Sequence, residues 1–177
     1  MILPWTVRSL RRRCVNTIPQ WLEGIAPLRV TVTPCPRPEQ FAALRKAGVD
    51  ILVSMLEDKE RQWLGMRDSE ALCAANGIEF ISVPVPDHSV PTSHDFILPH
   101  AQKLAARLHA GKGVLFHCLA GIGRSPLMAA CTLAVLGHDV HSSFARISAA
   151  RRIEVPDTDE QLRFAIEFAR WVKRPGQ

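Results

Sequence analysis

Val114-Leu115-Phe116-His117-Cys118-Leu119-Ala120-Gly121-Ile122-Gly123-Arg124-Ser125-Pro126 is the stretch on which the fold turns. It opens with an apolar run of strand length, Val114 to His117, and ends where an apolar helical stretch begins, with proline at its first position. Between them lies a tight loop with glycines at 121 and 123. Glycine tolerates positive φ and close backbone approach. The N–H groups from Leu119 to Arg124 can therefore turn inward towards one tetrahedral oxyanion, backed by the positive end of the following helix dipole. Arg124 supplies a planar fork matching two oxygens of such an anion, a geometry that lysine lacks. The same field favours the thiolate form of Cys118. A thiolate at the floor of a phosphate cradle predicts covalent phosphoryl transfer through a cysteinyl-phosphate.

On either side of this stretch, strand-length apolar runs alternate with helical periods. Residues 28–32, 49–55 and 78–83 read as strands. Helices are expected over 39–47, 59–64, 68–76, 95–110, 126–136, 140–150 and 158–172. Gly48, Gly77 and Gly111 stop three of them, and the run Asp157-Thr158-Asp159-Glu160 opens the last. Strands separated by helices predict an α/β fold, a central and mostly parallel sheet with helices on both faces. No internal repeat or low-complexity linker divides the sequence, so residues 21–177 are expected to form a single domain behind a basic extension, residues 1–20.

The 177 residues are 47% hydrophobic and 22% charged, which excludes disorder and collagen-like order. The formal net charge is +5, but Arg8, Arg11, Arg12 and Arg13 sit in the acid-free extension, and residues 21–177 carry 18 basic and 17 acidic side chains. So balanced a domain argues against nucleic acid as a partner. The extension reads as an organelle import sequence or as a disordered or surface-draped segment. Pro4 and Pro19, and the absence of a small-residue cleavage pattern, set it apart from a secretory signal. The longest strongly apolar stretch, 126–137, is too short to cross a bilayer, so no transmembrane segment is expected. Five scattered cysteines, Cys14, Cys35, Cys73, Cys118 and Cys131, suit reduced thiols in a cytoplasmic setting. A monomer is the simplest assembly.

Phosphoryl transfer also needs a proton for the departing oxygen, from a group on a loop able to cover the pocket. Asp87 lies on such a loop, Val85-Pro86-Asp87-His88-Ser89-Val90-Pro91, stiffened by its prolines. An aspartate in that setting is also a common turn former.

The nine residues from His117 to Ser125 match HCxxGxxR followed by Ser or Thr, and so resemble the signature of the cysteine-based protein tyrosine phosphatase superfamily. The loop around Asp87 resembles the general-acid loop of the same superfamily. Over roughly residues 28–172, the compact element order is most similar to the atypical dual-specificity phosphatases. The resemblance implies that Cys118 attacks phosphorus and that Arg124 binds the phosphoryl group together with the loop residues Leu119, Ala120, Gly121, Ile122 and Gly123. It implies that Asp87 acts first as acid and then as base, and that Ser125 assists breakdown of the intermediate. His117 would orient Cys118 and support it electrostatically, and Gln161 would place the hydrolytic water. It implies no metal and no cofactor, and a phosphorylated protein as substrate, on phosphotyrosine and on phosphoserine or phosphothreonine. Pro126 departs from the glycine usual in the family, and with no tyrosine in the chain, the aromatic wall that deepens the pocket of tyrosine-specific members cannot be a tyrosine, which argues against strict phosphotyrosine specificity. Leu119 and Ile122 stand where phosphoinositide-directed relatives tend to place lysines, which leaves the loop little to offer a second phosphate.

Other residues have plainer readings. Cys35, Cys73 and Cys131 read as core, and Trp21, Trp63 and Trp171 as packing residues. His88 either tunes Asp87 or caps a turn. Glu57 and Asp58 suit the pocket rim or a helix N-terminus. Arg151 and Arg152 read most simply as a solvated helix end, with substrate contact or anchorage of the loop as alternatives. His94, His100 and His109 lack carboxylates at metal-ligand spacing. A phosphatase of lipid, nucleotide or RNA 5′-phosphate, a non-catalytic phosphate-binding module, and a rhodanese-like sulfur transferase are the rival functions.

Overall fold

The computed structural model describes residues 19–173, and among them four strands form: β1 Arg29–Thr33, β2 Ile51–Ser54, β3 Glu79–Ser82 and β4 Gly113–His117. All pair in parallel in the order β1-β4-β2-β3, so β4 lies between β1 and β2. His117, at the end of β4, is in register with Thr33 of β1 and Ser54 of β2. Three strands thus open at one level into the crevice beyond their carboxyl ends, the place where parallel α/β sheets bind ligands.

Strand residues alternate between faces, and the alternation divides the core in two. Val30, Val32, Ile51, Val53, Val114 and Phe116 bury against α4 His94–His109, α5 Arg124–Val135, α6 Val140–Arg151 and α7 Asp159–Val172. Leu52 and Leu115 face the other way, onto Phe41 and Leu44 of α1 Phe41–Lys46 and Cys73 of α3 Ser69–Ala75. Helices therefore cover both faces of a parallel sheet, as the sequence predicts. A short helix, α2 Asp58–Trp63, follows β2 and buries no residue fully. His94, at the start of α4, sits among Phe164, Phe168 and Trp171 of α7 at centroid distances of 4.8–5.9 Å, fastening those helices together.

The phosphate-loop helix is the innermost, with every residue from Arg124 to Ala134 buried. It starts two residues before the expected Pro126, which becomes its third residue. That site still lies in the first turn, where backbone N–H groups have no intrahelical partner, so proline costs no helix bond. The buried cysteines agree with their plain reading: burial, then the charge of Glu70, pushes the Cys73 thiol up to about 12, and burial pushes Cys131 up further. Among the described residues no helix is long and apolar enough to cross a membrane. Residues 1–18, with Cys14 and the arginines of the basic extension, lie outside the described residues.

Candidate active site

β4 delivers Cys118 directly into the crevice. Its side chain is 3% exposed, and its sulfur accepts hydrogen bonds from the Gly121 N–H and the Ser125 hydroxyl, both at 3.3 Å. The loop is pinned beside the end of β1: Cys35 N donates to the Leu119 carbonyl at 3.1 Å, and Gly121 adopts φ +73° next to the Thr33 backbone. A Cβ at Gly121 would lie 2.6 Å from the Thr33 carbonyl carbon and oxygen, so only glycine fits. Gly121 and Ser125 do not line the pocket; they serve the sulfur from behind.

Arg124 is 1% exposed and fixed from several directions. Nη1 and Nη2 form a two-pronged bond with Glu60 at 2.8 and 2.9 Å, and Nη1 also donates to the Val85 carbonyl at 2.9 Å. Nη2 meets Asp87 Oδ1 at 2.8 Å. Burial opposes the guanidinium charge, but the Glu60 bonds and the negative charges of Cys118, Glu60 and Asp87 outweigh it and move the pKa up. On Glu60, burial likewise opposes ionisation, and the bonds from Arg124 and the Glu57 N–H prevail, holding the carboxyl below its usual range.

Leu119, Ala120, Ile122 and Gly123, with Cys118 and Arg124, line a pocket of about 340 Å³, closed on its other side by Asp87, His88, Asp157 and Gln161. The loop carrying Asp87 reaches it because Val83 and Val85 continue the β3 edge, donating to Ser54 and Met55 carbonyls at 2.9 and 3.2 Å. Gln161 is fully buried at the start of α7; its Nε2 donates to the Ser89 carbonyl at 3.1 Å, while Oε1 has no partner. A Cβ at Gly123 would lie 2.8–3.0 Å from the Gln161 amide, so the loop and α7 are in close contact.

Two expectations need correction. His117 is buried behind Cys118, with Nδ1 3.4 Å from the Cys118 carbonyl and Nε2 unpartnered. Burial pushes its pKa down to about 4, the carbonyl contact opposing, so the imidazole is neutral and supports the loop by packing and orientation rather than by charge. Arg151 is not a solvated helix end: Nη2 donates to the Ala120 carbonyl at 3.1 Å, anchoring the phosphate loop, while Arg152 closes the helix exposed at φ +54°. Glu57 and Asp58 serve the N-terminus of α2, and the acid that matters is Glu60, three residues on. Sequence reasoning missed Glu60 and Asp157. A buried arginine requires a carboxylate partner, which signals that an acid exists but not which one.

The comparisons bear on the same elements. Structures similar to this chain include the active form of Tk-PTP, at TM-score 0.71 and 24% identity over 86% of this chain and 96% of that one. Kinase associated phosphatase with its catalytic site cysteine replaced by serine aligns at TM-score 0.70 and 20% identity, covering 81% and 85%. PTPMT1 aligns at TM-score 0.68 and 21% identity, covering 81% and 91%. At such identities the likeness is one of fold. A search of curated proteins returns no match. The family match spans residues 29–138, from β1 through the loops that carry Asp87 and Cys118 to α5 and just beyond it, and so takes in the pocket residues other than Asp157 and Gln161. The chain belongs to the Tc-R-P family, described as polymorphic toxin system, DSP-PTPase phosphatase.

Proposed function

We propose that this cysteine-based phosphatase removes phosphate from phosphotyrosine, and from phosphoserine or phosphothreonine, in proteins. In this reading Cys118 Sγ attacks phosphorus, and the S–P bond forms as the bond to the leaving oxygen breaks. Arg124 Nη2 and the loop N–H groups hold the equatorial oxygens. Asp87 gives its proton to the leaving oxygen, then takes one from the attacking water as the S–P bond breaks. The unpartnered Oε1 of Gln161 accepts from that water, and the Ser125 hydroxyl stabilises the departing sulfur. The Asp87 carboxylate on Nη2 at 2.8 Å holds the place of a phosphate oxygen and yields it when substrate enters.

The observation that carries the reading is the sulfur at the pocket floor, receiving two donors and faced by a guanidinium. Among the described residues that line the pocket, Arg124 is the one lysine or arginine, and Leu119 and Ile122 make its walls apolar. That composition favours a single phosphate on an apolar or aromatic stem over a polyphosphate. PTPMT1 in complex with PI(5)P, 20% identical, supplies the alternative of a phosphoinositide. A monomeric domain over residues 21–177, working without metal or cofactor in a reducing cytoplasm, completes the proposal.

Matched phosphotyrosine, phosphothreonine and phosphoinositide substrates, turned over by wild type and Cys118→Ser, test it. The expected order places phosphotyrosine first, with kcat/KM for the phosphoinositide lower by about 100-fold or more, since a second phosphate finds no cation. Preference for the phosphoinositide would overturn the protein-substrate reading.

A further inference from the structure

Three consecutive residues of the acid loop are tied to three different partners. Asp87 Oδ1 pairs with Arg124 Nη2 at 2.8 Å, His88 Nδ1 lies 2.9 Å from Asp157 Oδ2, and the Ser89 carbonyl accepts from Gln161 Nε2 at 3.1 Å. The His88 ring also has Nε2 at 3.7 Å from Asp87 Oδ2, so it sits between two carboxylates. We propose that His88 and Asp157 are a positioning pair that holds the Asp87 carboxylate over the bound phosphate during turnover, an inference that rests on Asp87 being the general acid.

Backbone and exposure both point to the clasp. His88 stands at φ +56°, a conformation that non-glycine residues hold at a cost and that concentrates at functional sites. Its side chain is 72% exposed, so core packing does not keep it there. The bond to Asp157 does, and Asp157 directly precedes Thr158, whose hydroxyl caps α7. In the resting site the shortest tether on Asp87 is Arg124, but a phosphate must take over that Nη2 hydrogen. When it does, Asp87 loses the tether at the moment its placement matters. The His88–Asp157 contact uses none of the phosphate-binding donors, so it stays in place through the reaction. The charged groups facing the ring are the Asp87 and Asp157 carboxylates, with the Arg124 guanidinium beyond Asp87. A hydrogen bond to a side chain as exposed as His88 contributes little to stability, so its loss reads out in rate rather than in melting temperature.

Variants assayed on p-nitrophenyl phosphate, whose leaving group needs little protonation, and on phenyl phosphate, whose leaving group needs more, separate the roles. His88→Ala and Asp157→Ala are expected to lower kcat/KM on phenyl phosphate by about 10-fold to 100-fold, the scale of a misplaced catalytic group, and on p-nitrophenyl phosphate far less. His88→Asn, which tolerates the left-handed backbone and keeps a donor for Asp157, retains most of the rate; His88→Gly, which relieves the backbone and has no donor, does not. In an Asp87→Asn background, neither His88→Ala nor Asp157→Ala costs anything further. Full activity of His88→Gly, equal losses on both substrates, or losses that add to that of Asp87→Asn would overturn the positioning role. Should Asp87→Asn itself slow both substrates alike, the acid assignment fails first, and the clasp with it.

Discussion

Arg124 shows what a single residue must satisfy. Its Nη1 is committed to Glu60 and the Val85 carbonyl, its Nη2 to Glu60 and Asp87, and it is almost fully buried. Glu60 therefore sets the plane of the guanidinium, and with it the direction of the Nη2 hydrogen that a phosphate takes over from Asp87. Glu60→Gln keeps the shape but turns an NH2 towards the guanidinium. It is expected to destabilise the fold by about 2 kcal/mol, from loss of a charge-assisted bond. It should also lower kcat/KM by about 100-fold through misorientation of Arg124. Thermal melts and steady-state kinetics on the same protein check both; unchanged kinetics would remove Glu60 from the site. Cys118 and Arg124 were legible because the loop is contiguous in sequence. Glu60 and Asp157 were not, because their partners lie 64 and 69 residues away and only the fold brings them together.

At the scale of elements, β4, its loop and α5 form one unit whose stiffness comes from backbone contacts. Strand and helix positions followed from period and turn residues, and the start of α5 was displaced by two residues because proline marks the first turn without fixing where that turn begins. Arg151 shows the limit of local reasoning. A basic residue at a helix C-terminus is already explained by the helix dipole, so nothing in α6 alone announces that its side chain reaches the Ala120 carbonyl. Gly121 carries the matching prediction. Gly121→Ala forces a Cβ to within 2.6 Å of the Thr33 backbone at φ +73°, and the loop must move to admit it. Such strain costs roughly 1–3 kcal/mol, and activity should fall by about 100-fold or more, since the N–H aimed at the sulfur moves with it. Gly111→Ala, also at positive φ but with no atom within 4 Å of its Cβ, is the control that bears backbone strain alone and should leave kcat/KM unchanged. Equal effects of the two substitutions would show that the Thr33 contact is unimportant.

Across the whole molecule, the positive charge that matters is local. The net charge of +5 comes almost wholly from arginines within the first 20 residues, and the rest of the chain is nearly balanced. The fold supplies what bulk charge does not: a central strand that ends at His117, one residue before Cys118, a buried helix whose first residue is Arg124, and a loop carrying Asp87 that leaves the edge strand β3 and crosses the same opening. In the proposed reaction those parts converge on a sulfur that forms a bond to phosphorus and then releases it. Acid quenching of the enzyme during turnover of a radiolabelled aryl phosphate in EDTA, followed by peptide mapping, observes that bond. Phosphate bound covalently to Cys118 in the wild type, and absent together with activity in Cys118→Ser, is the predicted result; hydrolysis by Cys118→Ser at the wild-type rate, or label on another residue, would contradict it.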